Sequence, residues 1–310
     1  MEKYINYDLE YNRLAETVIN TGFWKYHERT GKKCLTSYGH MLKFDLSDGR
    51  FPALTTKKLL MKPMIAELLG FIRAVDNAAT FRELGCNFWD ANANLSKHWV
   101  ENPNRKGTDD LGRIYGVQAR DWKHSPSIKR EALGYEWDET IEFKHCDQLQ
   151  IVVDKLKQNK DDRRLIVSHW NPGELNQMAL PPCHLLYQFG LRTDIYGTSY
   201  LDMCLYQRSA DIPLGVPMNI ASYALMLQLI SKITGHKPGV FTHFIWDAHI
   251  YEDQLDLLKE QITRTPFDAP TLVIDTRIES LEDLETWCTT DNFKLLNYQH
   301  HPHIKFPFSE

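Results

Sequence analysis

Residues 219–234 (NIASYALMLQLISKIT) are apolar on nearly every face. A helix of that composition has no side to offer water, so it has to lie at the centre of a core with other layers around it. The chain holds material for those layers. Strand-period patterns occur at 165–168, 185–191, 199–206, 241–245 and 271–274, and a strand or hairpin is expected over 34–46, closed by the turn Ser47-Asp48-Gly49-Arg50. Helical spacing predicts further helices over 7–20, 61–74 and 147–156, and one opening at Trp246 and running through Lys259. No internal repeat or Gly/Ser linker interrupts the 310 residues, which points to a single domain, 1–310, with an insertion around 95–145.

A net charge of -5 leaves no electrostatic footprint for nucleic acid, so no DNA partner is expected, although a local arginine cluster can still hold a small anion. No apolar run approaches a membrane span and residues 1–12 contain no apolar h-region; a cytoplasmic protein without a membrane partner is the expectation. The six cysteines, Cys34, Cys86, Cys146, Cys183, Cys204 and Cys288, form no CxxC pair and read as free thiols.

One of them stands apart. In Leu180-Pro181-Pro182-Cys183-His184 the cysteine follows two prolines, beside a histidine, at the mouth of a strand-like run. A rigid backbone and a nearby cation favour a thiolate nucleophile; the alternative is a buried structural cysteine. Asp162-Arg163-Arg164 and Gln207-Arg208-Ser209 supply guanidinium groups, which bind phosphate bidentately and stabilise a thiolate, so a phosphorylated substrate is indicated. Glu67, inside an apolar helix, is either a solvated face residue or, if buried, an acid or base with a shifted pKa. Tyr115, between Gly112 and Gly116, either packs or relays a phenolic proton. Segments 87–94 and 102–107 read as loops, 129–144 as a surface excursion, and 208–217 as a turn-rich bridge into the central helix. The run His300-His301-Pro302-His303 lacks carboxylate or cysteine partners at ligand spacing, so no metal is expected.

Further segments join these: Arg29-Thr30-Gly31, Phe51-Pro52-Ala53-Leu54-Thr55-Thr56-Lys57-Lys58, Ala66-Glu67-Leu68-Leu69, Ile114-Tyr115-Gly116, Asn219-Ile220-Ala221-Ser222-Tyr223-Ala224 and Asp247-Ala248-His249-Ile250-Tyr251. Taken in order, they resemble the thymidylate synthase family over nearly the full length. The resemblance implies an α+β fold, a large mixed β-sheet flanked by helices, with two subunits packed sheet against sheet in a homodimer. It implies reductive methylation of dUMP to dTMP, with 5,10-methylenetetrahydrofolate as co-substrate supplying both the carbon and the hydride. On this likeness Cys183 matches the nucleophile that adds to uracil C6, and Arg208 matches a residue that holds phosphate and favours the thiolate. Arg29, Arg163, Arg164 and Ser209 match the other phosphate ligands, with Arg163 and Arg164 reaching across to the neighbour's site. Asn219 matches the amide that reads uracil, and His249 and Tyr251 match the pair on the ribose 3'-hydroxyl. Glu67, Tyr115 and His184 match a proton-handling network. Asp211, Leu214, Gly215, Trp89 and Lys57 match folate contacts, and residues 304–310 a tail that closes over the ligands.

The chain departs from the family pattern at Asn92, where an aromatic is usual, at Ala119 and Ala210, and at Trp246, which replaces a glycine. The tail ends in Phe308-Ser309-Glu310 instead of a small apolar residue. Loss of aromatic cover at Asn92 gives a second expectation, a dUMP 5-hydroxymethylase, in which water meets the intermediate and tetrahydrofolate is released. A non-catalytic nucleotide-binding or RNA-binding protein is a third; it needs neither a thiolate nor a proton relay.

Overall fold

A computed structural model describes residues 6–28, 30–133 and 136–308, with only the backbone described over 125–133 and 136–142. Helix α1 (Tyr7–Thr21) leads into strands β1 (Phe23–His27) and β2 (Lys32–Asp45). Helices α2 (Met61–Ile72), α3 (Ala78–Leu84), α4 (Asp90–Asn94), α5 (Lys97–Val100) and α6 (Tyr115–Arg120) follow, then the hairpin of β3 (Trp122–Leu133) and β4 (Glu136–Cys146). Next come α7 (Gln148–Lys157), β5 (Ile166–Ser168), β6 (His184–Thr193), β7 (Ser199–Asp211), α8 (Gly215–Thr234) and β8 (Lys237–Tyr251). The chain continues through α9 (Leu255–Ile262), β9 (Thr271–Ile274), α10 (Leu281–Thr286) and β10 (Phe293–Leu296).

Six strands form one mixed sheet in the order β1-β2-β8-β7-β6-β5. Only β7 and β8 are parallel, because α8 carries the chain from the end of one back to the start of the other. With helices against this large mixed sheet, the architecture is the expected α+β class. Helix α8 is buried from Val216 to Thr234 with few breaks, and it packs on β7 and β8. It ends at Gly235, whose φ of +78° suits a residue without a side-chain branch; its N–H bonds back to the Ser231 and Lys232 carbonyls.

Four local expectations need correction. Helix α8 begins at Gly215, four residues before Asn219, so Asn219 lies inside the first turns and does not start the helix. The presumed bridge at 208–211 is the end of β7, since Ser209, Ala210 and Asp211 pair with Asp247, Ala248 and His249 of β8. The segment 246–251 is likewise strand, and α9 starts only at Leu255; cross-strand pairing on both sides outweighs its helix-like spacing. Segment 87–94 contains the short helix α4. Over 34–46, where a strand or hairpin was open, the chain is one long strand.

A second apolar cluster, with Phe71, Phe81, Trp89, Trp99 and Tyr115, joins α2 to α3–α6. Two backbones approach closely within it at Gly116, where an added side-chain carbon would meet the Phe71 carbonyl and stand 2.7 Å from Phe71 Cα. Backbone cannot yield as a side chain does. Gly116→Ala is expected to cost about 1–3 kcal/mol, read as a lower denaturant midpoint at unchanged m-value, and to displace Tyr115 with it.

Candidate active site

Cys183 stands one residue before β6, and its backbone is committed on both sides. Its N–H donates to Tyr115 Oη at 2.7 Å, and its carbonyl accepts from the Arg208 N–H at 2.8 Å. The side chain faces a cavity of about 1110 Å³ between the sheet, α2, α4 and the C-terminal segment. Glu67, Trp89, Tyr115, His184, Ser209, Asp211, Leu214, Gly215, Asn219, His249, Tyr251 and Lys57 line the same cavity. Residues scattered over nearly two hundred positions thus converge on one volume.

Beside the cysteine lies a buried polar cluster. Glu67 Oε1 accepts from Trp89 Nε1 at 3.0 Å, and burial pushes the Glu67 carboxyl up to about 7. The sequence left open whether this side chain is solvated; it is half-buried on the cavity wall and is the shifted acid. Tyr115 is held by a stacked Phe71 ring at 5.0 Å, and burial raises its phenol well above the usual value. Burial, followed by the proximity of His169, pushes His184 down to about 3, so its imidazole is neutral at neutral pH. The buried Nδ1 of His184 has no partner among the described residues.

Asn219 is oriented by a chain of amides from inside the sheet. His243 is pushed down to about 3 by burial and is therefore neutral; its Nε2 bonds Gln207 Oε1 at 2.7 Å. Gln207 Nε2 in turn donates to Asn219 Oδ1 at 3.1 Å. This order keeps the Asn219 NH₂ group as the donor toward the cavity side. Gln207 was visible in the sequence only as a neighbour of Arg208, and His243 not at all, since a buried strand histidine has no local signature.

On the far side of the cavity, Asp211 Oδ1 accepts from the Leu214 N–H at 2.9 Å, which makes the turn into α8, and Oδ2 accepts from Gln254 at 3.0 Å. Burial raises its carboxyl. Lys57 is also buried; its ammonium meets the Pro213 carbonyl and the Phe306 ring, and burial lowers it to about 8. His249 Nδ1 bonds Asp247 Oδ1 at 3.0 Å. Asn92 lines the cavity wall, Ala119 and Ala210 are buried in the core, and Trp246 is exposed and stacked on Tyr38 at 5.2 Å. Phe306 is buried beneath Lys57 and Phe308 reaches the cavity mouth; Ser309 and Glu310 fall outside the described residues.

The arginines behave differently. Arg208 does not line the cavity; its Nε and Nη2 donate to the Pro182 and Pro181 carbonyls at 2.8 and 2.9 Å, bracing the cysteine loop from behind. Arg163 and Arg164 are exposed, and Arg164 bonds Asp162. Arg29 lies outside the described residues. In the His300–His303 run, His300 Nδ1 bonds the His301 carbonyl and His301 Nε2 the Thr265 carbonyl, while His303 lines the cavity.

Accessibility narrows the thiols to three partly exposed ones, Cys146, Cys183 and Cys204, of which Cys183 lines the cavity. Cys34, Cys86 and Cys288 are buried, and burial raises the thiols of Cys86, Cys146, Cys204 and Cys288. Cys183 opens on the cavity. Iodoacetamide labelling of the folded protein, read by peptide mass, is expected to modify Cys183 first. Equal labelling of all six cysteines would contradict this geometry.

The sequence profile of the thymidylate synthase family matches residues 9–310. A thymidylate synthase of Shewanella loihica is 46% identical over 302 residues, covering 97% of this chain and 99% of its own. The thymidylate synthase of Photobacterium profundum is 46% identical over 301 residues with the same coverages. That of Vibrio cholerae is 44% identical over 301 residues, again covering 97% of this chain and 99% of its own. With a cavity that gathers the expected cysteine, amide and proton-handling groups, and a match that runs to the last residue, the chain belongs to the thymidylate synthase family.

Proposed function

We propose that the protein is a thymidylate synthase that methylates dUMP to dTMP, with 5,10-methylenetetrahydrofolate as co-substrate and dihydrofolate as second product. The observation that carries this reading is the joint presence of Cys183, Glu67, Tyr115, His184 and Asn219 on one cavity wall. A volume of about 1110 Å³ exceeds what one drug-sized ligand requires and suits a nucleotide beside a second aromatic ligand.

Uracil C5 is a weak nucleophile, and addition of the Cys183 thiolate at C6 turns the ring into an enolate that attacks through C5. The Asn219 NH₂ donates to uracil O4, and Oδ1 accepts from N3–H, sharing that oxygen with Gln207. Glu67, poised near neutrality, exchanges protons with the O4 side of the ring; such acid–base help is typically worth about two to four decades in rate. Tyr115 and the neutral His184 hold that proton path in place and exclude bulk water. His249 and Tyr251 meet the ribose hydroxyl and Ser209 the phosphate, toward which Arg208, braced against the Pro181 and Pro182 carbonyls, offers its remaining N–H groups. The reduced folate supplies the one-carbon unit and the hydride. Trp89, Leu214 and Gly215 give it an apolar and aromatic surface, Asp211 a carboxylate, and Lys57 a cation under the tail.

Guanidinium groups for a dianion come from Arg29, Arg208 and a second subunit's Arg163 and Arg164. Two features support a homodimer: Arg163 and Arg164 are exposed away from their own cavity, and Ile166, Tyr206, Phe244 and Trp246 present exposed apolar surface on the large sheet. Mixing two inactive variants, Cys183→Ser and the double change Arg163→Ala/Arg164→Ala, is expected to restore about a quarter of wild-type activity, because half the dimers are hybrids with one intact site. No recovery would place these arginines in their own subunit's site or outside it.

Incubation with dUMP and methylenetetrahydrofolate tests the activity, with nucleotide followed by mass and folate by absorbance. Methylated nucleotide in step with dihydrofolate is expected; hydroxymethylated nucleotide with tetrahydrofolate would overturn the methylation reading. Asn219→Asp replaces the donor toward O4 by an acceptor, so turnover is expected to shift toward dCMP, whose exocyclic amine donates. An unchanged ratio of dUMP to dCMP turnover would remove Asn219 as the reader of the base.

A further inference from the structure

Gln254 lies in the turn between β8 and α9 and is fully buried, yet its side chain touches three parts of the cavity wall. Its Oε1 accepts from the Tyr251 N–H at 3.1 Å. Its NH₂ donates to Asp211 Oδ2 at 3.0 Å and to the Pro307 carbonyl at 2.9 Å. One planar amide therefore joins the end of the strand that carries His249 and Tyr251, the carboxylate at the end of β7, and the C-terminal segment.

The remaining capacity of these groups is small. Asp211 Oδ1 is taken by the Leu214 N–H, so Gln254 supplies the side-chain donor to the other oxygen. The donor that holds Asp211 is also the donor that holds the tail, and both bonds are made together only when the tail lies across the cavity. We propose that Gln254 is a positioning residue that couples placement of the 304–308 segment to the orientation of the Asp211 carboxylate, so that the folate half of the site is completed only with the tail in place. This inference rests on the reading of Asp211 as a folate contact.

Gln254→Glu isolates the donor side of the amide. It keeps an oxygen for the Tyr251 N–H but replaces the shared NH₂ with an acceptor facing Asp211. The groups around that new pair are Tyr11 from α1, Lys57, and His249 from β8. Two adjacent carboxylates hold one proton between them more readily as pH falls, and the introduced carboxyl, once protonated, regains a single donor.

The expected result for Gln254→Glu is a KM for methylenetetrahydrofolate raised about tenfold or more at about pH 8, partly restored at about pH 6, with dUMP affinity within about twofold of wild type. Trypsin cleavage after Lys305, read by mass of the released peptide, is expected to be faster than in wild type. A chain ending at Phe306 should show the same folate defect, and adding Gln254→Glu to it should cost much less than the product of the two single effects. This truncation also serves if the buried substitution prevents folding. An unchanged folate KM with unchanged Lys305 cleavage, or multiplicative effects in the double variant, would overturn the coupling. Failure of the wild-type protein to turn over dUMP would instead strike the proposed function, while the trypsin comparison would still report on the bond between Gln254 and the tail.

Discussion

Strand β7 fixes the active-site geometry because its C-terminal end is bonded on both edges. The Arg208 N–H holds the Cys183 carbonyl at 2.8 Å across to β6, and the Ile212 N–H, one residue past the strand, holds the His249 carbonyl at 2.9 Å across to β8. Between them Ser209, Ala210 and Asp211 stay in register with Asp247, Ala248 and His249. Three segments distant in sequence are thereby held to hydrogen-bond precision. The turn that follows is closed by Asp211 itself through the Leu214 N–H, which sets the start of α8 and with it the position of Asn219. A slip of one residue along β7 would turn Asp211 and Ser209 to the other face and separate the cysteine from the amide.

Burial then determines what these groups can do. His184 and His243 are kept neutral by desolvation, so each acts as a fixed donor or acceptor and adds no charge beside the thiol. The same desolvation moves Glu67 the opposite way, to about 7, because for a carboxyl the protonated form is the uncharged one. One physical effect thus gives a neutral imidazole and a carboxyl poised near neutrality on the same wall. The amide chain from His243 through Gln207 to Asn219 partners one edge of each of these side chains without introducing an ion, while Nδ1 of His184 and of His243 has no partner among the described residues.

The parts of this site that were legible in the sequence are those whose residue type is chemically unusual in its setting. A cysteine after two prolines, a glutamate in an apolar helix and an all-round apolar helix each carry local information, and α1, α2, α7, β9 and the burial of α8 follow the periodicity. Roles of single residues were assigned through likeness to a family, since spacing says nothing of what a histidine touches. Errors gathered around 208–217 and 246–254. There the chain is in strand because β7 and β8 pair with each other in parallel, and a contact between residues some forty positions apart leaves no trace in a local window. Reading 246–259 as one helix also hid Gln254, which would then have been an ordinary helix-face amide and not the buried junction it is.

The arginines expose a different limit. Their sequence clusters suggested a phosphate site, but Arg208 spends two of its donors on the carbonyls before Cys183, and Arg163 and Arg164 stand outside the cavity of their own chain. Held against the Pro181 and Pro182 carbonyls, the Arg208 guanidinium stiffens the loop that presents the thiol. A guanidinium in this position serves orientation and electrostatics together, because its planar fork can satisfy carbonyls on one edge and still offer N–H groups on the other. The exposure of Arg163 and Arg164, together with Ile166, Tyr206, Phe244 and Trp246 on the large sheet, is the surface evidence on which the proposed assembly rests.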